Sequence, residues 1–176
     1  MTNHPEIKAA IQADLDRMRA RFHALLDLLS EDDFHRQSLN PGWTNGEVIA
    51  HMTFGLIIVD VLLPITRLGS RLPRGVSRAF AWILDALTGP FNWINELGAR
   101  GQGRVMTRAR VGVLFDRAYA RLTKKVAAIQ PDEWDRGMDY PAKWDPNFQE
   151  YMTLKDLFRY CVQHFDLHYQ QVAYSA

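Results

Sequence analysis

The chain has little cysteine, almost no net charge and no long uninterrupted apolar run. Cys161 is the single cysteine, which excludes an intrachain disulfide framework and a cysteine-rich zinc module and makes a reducing, cytoplasmic location the simplest expectation. The formal net charge is +1, from 21 basic and 20 acidic side chains. No overall field therefore draws the protein to nucleic acid or anionic lipid, and we expect no nucleic-acid partner.

The hydropathy pattern of the sequence also shows no typical membrane-spanning or secretory segment. The longest apolar run, Phe54 to Ile65, is interrupted by Asp60 and falls short of the ~20 residues that a membrane span needs. The N-terminal segment MTNHPEIKAAIQADLDRMRA is amphipathic and charged, whereas a secretory signal has a basic segment followed by an apolar one. We expect neither a membrane span nor a signal.

Helical periodicity is what the sequence does have. Four apolar stripes recur at helical spacing, and strand alternation is nowhere sustained; the stripes lie at Ile7–Leu29, Val48–Leu62, Val111–Ile129 and Leu154–Val172. With 176 residues and 47% hydrophobic content, the chain suits one domain over residues 1–176 with a single core. The predicted fold is all-α, an antiparallel four-helix bundle in which each stripe packs against the others.

Capping boxes and prolines predict several helix boundaries. Thr44–Glu47 and Thr153–Asp156 have the capping-box pattern that begins a helix. Pro64 is expected to kink or end the second helix, and Pro131 to mark the end of the third.

A long insertion separates the second and third predicted helices, at about residues 67–104. It contains the aromatic runs Phe80–Leu84 and Phe91–Ile94, which are too apolar for a solvated linker. We predict one or two extra helices there, broken around Thr88-Gly-Pro90. Residues 134–147, rich in Pro, Asp and Trp, are predicted to form an ordered loop that leads into the last helix.

Three histidines are the candidate metal ligands. His164 and His168 are four residues apart on the apolar stripe of the last helix, where two imidazoles one turn apart can grip a single divalent metal. His51 lies on the inward stripe of the second helix and would complete a three-coordinate site with a position open for water or substrate. The alternative is that all three are hydrogen-bonded core residues. The other three histidines are expected at the surface or its rim: His4, His23 and His35.

These residues carry a resemblance to a known family. The segment Trp43-Thr-Asn-Gly-Glu47-Val-Ile-Ala-His51, followed by His164-x-x-x-His168-x-x-Gln171-Val172, resembles the DinB/YfiT-like superfamily of metal-binding four-helix bundles. The resemblance spans nearly the whole chain in helix order. This chain differs in having Gln170 where many members have glycine, and in a longer insertion between helices two and three.

The resemblance implies a divalent metal, commonly zinc or nickel, bound by His51, His164 and His168. It also implies an activity of the kind found in some relatives, which use low-molecular-weight thiols such as bacillithiol, mycothiol or glutathione as transferases or isomerases on small molecules. Because such a metal lowers the pKa of a bound thiol or water, a thiol transferase or a hydrolase-like enzyme is expected. The alternative is a non-catalytic binding or stress-response protein with a vestigial metal site.

Other residues near the motif have two interpretations each. Glu47 is either a helix cap or the acceptor of the second N–H of His51. Cys161 lies three residues before His164, which permits a Cys-His nucleophile, but its apolar neighbours favour a packed core thiol. Trp43 and Trp144 either line the mouth of a pocket or simply pack.

A different class of function is suggested by the basic residues of the insertion. Four arginines recur at helical spacing before the aromatic run: Arg67, Arg71, Arg74 and Arg78. Together with the aromatics, the 67–94 segment would suit a membrane-surface or protein-interaction module, although a solvated basic face that covers one end of the bundle is the favoured explanation of the arginines. The apolar insertion could instead form a homodimer interface, and we expect a homodimer.

Overall fold

The computed structural model describes residues 4–174, apart from the side chains at 4, 91, 94–95, 99–100 and 102–105. The elements in chain order are α1 (His4–Leu28), α2 (Glu31–His35), α3 (Asn45–Gly69), α4 (Arg74–Ala86), α5 (Thr88–Val105), α6 (Arg108–Ala128), a 3-10 turn (Pro131–Glu133), β1 (Gly137–Asp139), β2 (Tyr151–Thr153) and α7 (Leu154–Tyr169). The protein is therefore mostly helical, as the periodicity predicts.

The four long helices that carry the apolar stripes share one core. Helix α3 packs against α6 and α7, and α1 packs against the same two helices. Phe22 of α1 stacks on Phe115 of α6 with ring centroids 3.9 Å apart, and Phe115 meets Phe165 of α7 edge to face. All three rings are fully buried, so their burial joins three helices at the centre of the molecule.

The predicted helix starts at Thr44 and Thr153 are confirmed. The backbone N–H of Thr44 donates to Glu47 Oε2 at 2.7 Å, and that of Thr153 donates to Asp156 Oδ2 at 3.0 Å. Each threonine hydroxyl in turn accepts from the backbone N–H three residues on. Because α3 and α7 begin at these boxes, the boxes also set where along each helix the histidines lie.

Pro64 is expected to kink or end the second helix. It does not end the helix, because α3 continues to Gly69. A proline has no N–H to give to the carbonyl four residues earlier, which here belongs to Asp60. The ammonium group of Lys125 in α6 donates to that carbonyl oxygen and also pairs with the Asp60 carboxylate. A tertiary contact thus satisfies the group that the proline leaves open.

The all-α prediction needs one correction, a short β ribbon in the segment predicted as loop. Strands β1 and β2 pair antiparallel, with Met138 opposite Met152. At Gly137 the partner strand approaches so closely that an added β-carbon would lie 2.4 Å from the carbonyl oxygen of Met152. Three-residue strands are too short to give a visible alternation in sequence.

The predicted insertion is helical and broken where expected. Its two helices, α4 and α5, meet at Leu87 and Thr88. Helix α4 packs against β1, where the hydroxyl of Ser77 donates to Asp139 Oδ2 at 2.7 Å. The ribbon and the insertion are therefore joined on one side of the molecule.

Within the described residues, α3 is the one helix long and apolar enough to cross a membrane by length and composition. A central core helix meets the same criterion, and α3 contacts α5, α6 and α7. Val48, Ile49 and Met52 are fully buried within the protein, which accounts for the apolar composition of this helix.

Candidate metal centre

The three candidate histidines converge on one point inside the protein. His51 comes from the middle of α3, and His164 and His168 come from successive turns of α7. One ring nitrogen from each lies within 4.8 Å of the other two, and the Nε2 atoms of His51 and His164 are 3.3 Å apart. All three side chains are buried.

A hydrogen-bond chain fixes the ring of His168. Its Nδ1–H donates to Oε1 of Gln171 at 2.8 Å, and the same oxygen accepts from Nδ2 of Asn40 at 3.3 Å. Because the proton sits on Nδ1, the lone pair of His168 remains on Nε2. Gln171 thus orients this imidazole in the way that outer partners orient metal-ligating histidines.

The other ring nitrogen of His164 lies against the backbone of α3. Nδ1 of His164 is buried without a hydrogen-bond partner among the described residues, in the space that a side chain at Gly55 would otherwise fill. Gly55 therefore allows close contact between α7 and α3 at the level of the site. The ring is placed by packing, with its Nε2 towards His51.

Burial keeps these imidazoles neutral. Loss of solvent, reinforced by the neighbouring histidines, lowers the pKa of His51 from 6.5 to about 2 and that of His164 to about 3. Burial also lowers the pKa of His168, against the opposing hydrogen bond to Gln171. At neutral pH the cluster therefore presents uncharged rings whose lone pairs are available to a cation.

The donor set fits a divalent metal. Two ligands of a tetrahedral zinc at about 2.0–2.1 Å are roughly 3.3 Å apart, which matches the separation of the His51 and His164 nitrogens. Three imidazoles suit zinc, nickel, copper or iron. The unpartnered Nδ1 of His164 lies on the Gly55 side of the ring, so a metal would be held by the Nε2 atom that faces His51.

A cavity of about 240 Å³ opens beside His51 and His164. Its walls come from α3, from Phe80 and Leu84 of the insertion helix α4, from residues 138–148 and from Tyr160 of α7. The indole N–H of Trp144 donates to the carbonyl oxygen of Leu84 at 2.8 Å, which joins the loop to α4. The insertion thus forms a wall of the cavity.

Two polar residues of this cavity are absent from the sequence prediction. The hydroxyl of Tyr160 donates to Oδ2 of Asp145 at 3.1 Å, and both residues line the cavity. The only signal for Asp145 in the sequence is its position in the Pro-, Asp- and Trp-rich segment before α7. Tyr160 lies one turn before His164 on α7, a spacing that places both on one face.

The structure distinguishes several of the paired interpretations. Glu47 acts as the helix cap, with its carboxylate on Thr44. Cys161 is a fully buried core residue, and burial raises the pKa of its thiol to about 12. Trp144 lines the cavity, whereas Trp43 packs edge to face on His51 with centroids 5.0 Å apart.

The remaining histidines lie away from the site as far as they are described. His23 is partly exposed and lies 2.9 Å from Asp116 through Nε2, and His35 is exposed at the end of α2. The side chain of His4 lies outside the described residues.

The arginines of the proposed basic stripe are partly committed to internal partners. Arg67 holds the buried carboxylate of Glu133 with two hydrogen bonds, of 2.9 and 2.7 Å. Arg74 lies 3.5 Å from the buried carboxylate of Asp139. These two cations therefore balance internal acids, which weakens the stripe as a surface for anionic lipid.

Comparisons with known proteins agree with this architecture. The fold is similar to the crystal structure of the mycothiol-dependent maleylpyruvate isomerase, with a TM-score of 0.66 and 14% identity over 98% of this chain and 63% of that one. A second crystal structure, of an alanine mutant of that isomerase, gives a TM-score of 0.67 and 15% identity over 100% of this chain and 65% of that one.

This chain thus spans less than two thirds of the length of either isomerase chain, and at such identities the likeness concerns the fold. No curated protein matches the sequence. The family model of the DinB superfamily matches residues 14–172. The chain is a member of the DinB superfamily.

Proposed function

We propose that the protein is a divalent-metal-dependent enzyme that binds one metal ion, most simply zinc or nickel, through His51, His164 and His168. The observation that carries the proposal is the convergence of three neutral, buried imidazoles, two of which, His51 and His164, line a cavity. Three protein ligands leave a coordination position for substrate or water. A purely structural metal site does not need a cavity beside it, whereas a catalytic site needs one to hold the substrate.

A metal held there would supply a nucleophile at neutral pH by lowering the pKa of a coordinated thiol or water. The protein side chains orient the ligands and exclude water. Gln171 fixes the ring of His168, Gly55 admits the ring of His164, and the apolar walls of the cavity limit access of bulk solvent.

A low-molecular-weight thiol is the cosubstrate that we favour, in a thiol S-transferase or a related reaction, with a hydrolase-like reaction as the alternative. Support comes from the fold similarity to a mycothiol-dependent enzyme. A thiol cosubstrate is consistent with a cytoplasmic location, because such thiols are kept reduced in the cytoplasm. A panel of mycothiol, bacillithiol and glutathione with small electrophiles, with and without added metal, tests this part of the proposal.

Metal content is the decisive measurement. Protein purified without a nickel column is expected to carry one divalent ion per chain by elemental analysis, and His164→Ala is expected to lose it. His35→Ala removes an exposed histidine and should leave the metal content unchanged. A folded wild-type protein that takes up no added zinc or nickel would overturn the metal centre, and a loaded protein that is inactive on every thiol and electrophile would favour the vestigial, non-catalytic alternative.

A homodimer is the second element of the proposal. Large apolar side chains are exposed along the outer faces of α4 and α5, among them Trp82 (73% exposed) and Trp93 (66% exposed). Patches of this kind are commonly covered by a partner. Light scattering coupled to size-exclusion chromatography should give twice the chain mass, and Trp82→Glu should return it to a monomer.

A further inference from the structure

The three histidines of the proposed metal centre bring no negative charge to a bound ion. Burial lowers the pKa of His51, His164 and His168, so all three rings are neutral at neutral pH. A divalent ion held by neutral ligands in a buried place loses much of its hydration and keeps its full charge. A fixed anion near the rings would therefore strengthen metal binding.

Two acidic side chains line the cavity beside the histidines, Asp139 and Asp145. Asp139 is already paired within the protein. Its Oδ2 accepts from the hydroxyl of Ser77 at 2.7 Å, and its Oδ1 lies 3.5 Å from Nε of Arg74. Because the guanidinium compensates its charge, Asp139 serves to hold α4 on β1.

Asp145 is held in place without losing its charge. Its Oδ1 accepts from the backbone N–H and the side-chain amide of Asn147, at 2.8 and 3.1 Å, and its Oδ2 accepts from the hydroxyl of Tyr160 at 3.1 Å. Burial, together with the charge of Asp145, raises the pKa of Tyr160, so this hydroxyl keeps its proton. All of these donors are neutral, and they fix the position of the carboxylate without cancelling its charge.

Tyr160 connects Asp145 to the metal centre. It lies one turn before His164 on α7, and the two rings are in contact with centroids 5.6 Å apart. The carboxylate that Tyr160 holds lines the same cavity as His51 and His164. The anion and the two imidazoles therefore border one common space.

The charge of Asp145 acts on the histidine rings. Burial lowers the pKa of His51 and of His168, and the negative charge of Asp145 opposes this effect at both rings. An anion that favours positive charge on two of the rings also favours a cation held between them, for the same electrostatic reason. Among the described residues, the ligand atoms that lie within 4.8 Å of one another come from the three histidines and not from Asp145, so the carboxylate acts from outside the ligand set.

We propose that Asp145 is the charge-balancing residue of the metal centre: its carboxylate, held by Tyr160 and Asn147, stabilises the bound cation without coordinating it and weakens the attraction of the centre for an added anion. The proposal rests on the proposed function, because it needs a metal bound by the three histidines. A single carboxylate offsets only part of the charge of a divalent ion, so the centre keeps excess positive charge and still suits a thiolate.

Asp145→Asn tests the proposal, because it removes the charge and keeps an oxygen to which Tyr160 can donate. Two affinities are measured: that of the protein for cobalt(II), by chelator competition, and that of the cobalt-loaded protein for azide, by visible absorption. The cobalt affinity should fall by about 10- to 100-fold, whereas azide should bind at least about threefold more tightly. A merely structural defect would weaken both, so the opposite directions identify the effect of charge.

Three further variants serve as controls. Asp135→Asn changes an exposed acid that pairs with Lys155 outside the cavity, and it should leave both affinities unchanged. Asp145→Glu restores the charge and should recover most of the wild-type cobalt and azide affinities. Asp145→Ser removes the charge with a smaller polar side chain, and it replaces Asp145→Asn if circular dichroism shows that the asparagine variant does not fold.

The outcomes separate this proposal from the metal centre itself. Unchanged affinities in a folded Asp145→Asn protein, or a loss of both, would overturn the charge-balancing role and leave the metal centre intact. A complete loss of cobalt, as expected for His164→Ala, would make Asp145 a ligand and would also overturn the role proposed here. A wild-type protein that takes up neither cobalt nor zinc would overturn the metal centre and the role of Asp145 together.

Discussion

A β-carbon added to Gly55 would lie 2.4 Å from Nδ1 of His164. No heavy-atom contact of that length is tolerated, so the imidazole and the helix backbone occupy adjoining space that only glycine leaves free. The two helices that supply the histidines are in contact at this point. The position of His164 therefore depends on the absence of a side chain on another helix.

Gly55→Ala should weaken metal binding without disrupting the helix. Alanine favours a helix over glycine by about 1 kcal/mol, but the overlap with His164 displaces the ring or costs about 1–3 kcal/mol of stability. We expect at least a tenfold loss of zinc affinity in a chelator competition assay. Gly112→Ala is the matched control, because a β-carbon there would lie 3.4 Å from Leu26; equal effects of the two changes would contradict the assignment.

Gln171→Ala should lower metal affinity by about 10- to 100-fold, the usual effect of removing the partner that orients a ligating histidine. The variant leaves Nδ1 of His168 without its acceptor while keeping all three imidazoles. Gln163→Ala changes an exposed glutamine on the same helix and should have no effect. Equal zinc affinities for Gln171→Ala and the wild type would rule out an orienting role.

The metal-free protein should lose stability as the pH falls below about 6.5. Burial lowers the pKa of His51 to about 2 and of His164 to about 3, whereas the unfolded chain titrates near 6.5. The unfolded state therefore binds more protons at acidic pH, so stability present above about pH 6.5 is lost towards the folded values. Each histidine contributes a slope of up to about 1.4 kcal/mol per pH unit.

Urea unfolding between about pH 7.5 and pH 5 measures this slope. His164→Leu removes one titrating group and should flatten the dependence, whereas His35→Ala should leave it unchanged. A slope that is the same in His164→Leu and the wild type would mean that other groups carry the proton linkage.

Cys161 should be chemically inert in the folded protein. Burial raises the pKa of its thiol to about 12, which leaves almost no thiolate at neutral pH. Ellman's reagent is expected to react with it only after denaturation. Cys161→Ala should keep metal content and activity at a cost of about 1 kcal/mol; loss of activity with metal retained would restore the thiol as a nucleophile.

The features that the sequence predicts well are those decided by neighbouring residues. The starts of α3 and α7 follow from Thr44 and Thr153, whose caps need only a carboxylate three residues on. The convergence of His51 with His164 follows from apolar stripes that can be buried in only one direction. The caps follow from local rules alone, and the convergence needs only that both stripes face one core.

The features that the sequence does not predict depend on contacts between distant segments. Continuation of α3 through Pro64 requires Lys125, more than sixty residues away, to satisfy the Asp60 carbonyl. The ribbon forms because Gly137 admits the strand at Met152. The acidic end of the cavity depends on Asp145 meeting Tyr160, and no local pattern encodes such a meeting.

The bond from the Trp144 indole to the Leu84 carbonyl means that the two sides of the cavity cannot separate independently. Admission of a bulkier guest requires either rupture of that bond or a concerted displacement of both sides. Amide exchange near Leu84 should consequently slow once a well-fitting guest is seated and quicken with one that is too large. The largest guest that the protein accommodates is then set by the Trp144–Leu84 hydrogen bond between two distant segments as well as by the volume of the cavity.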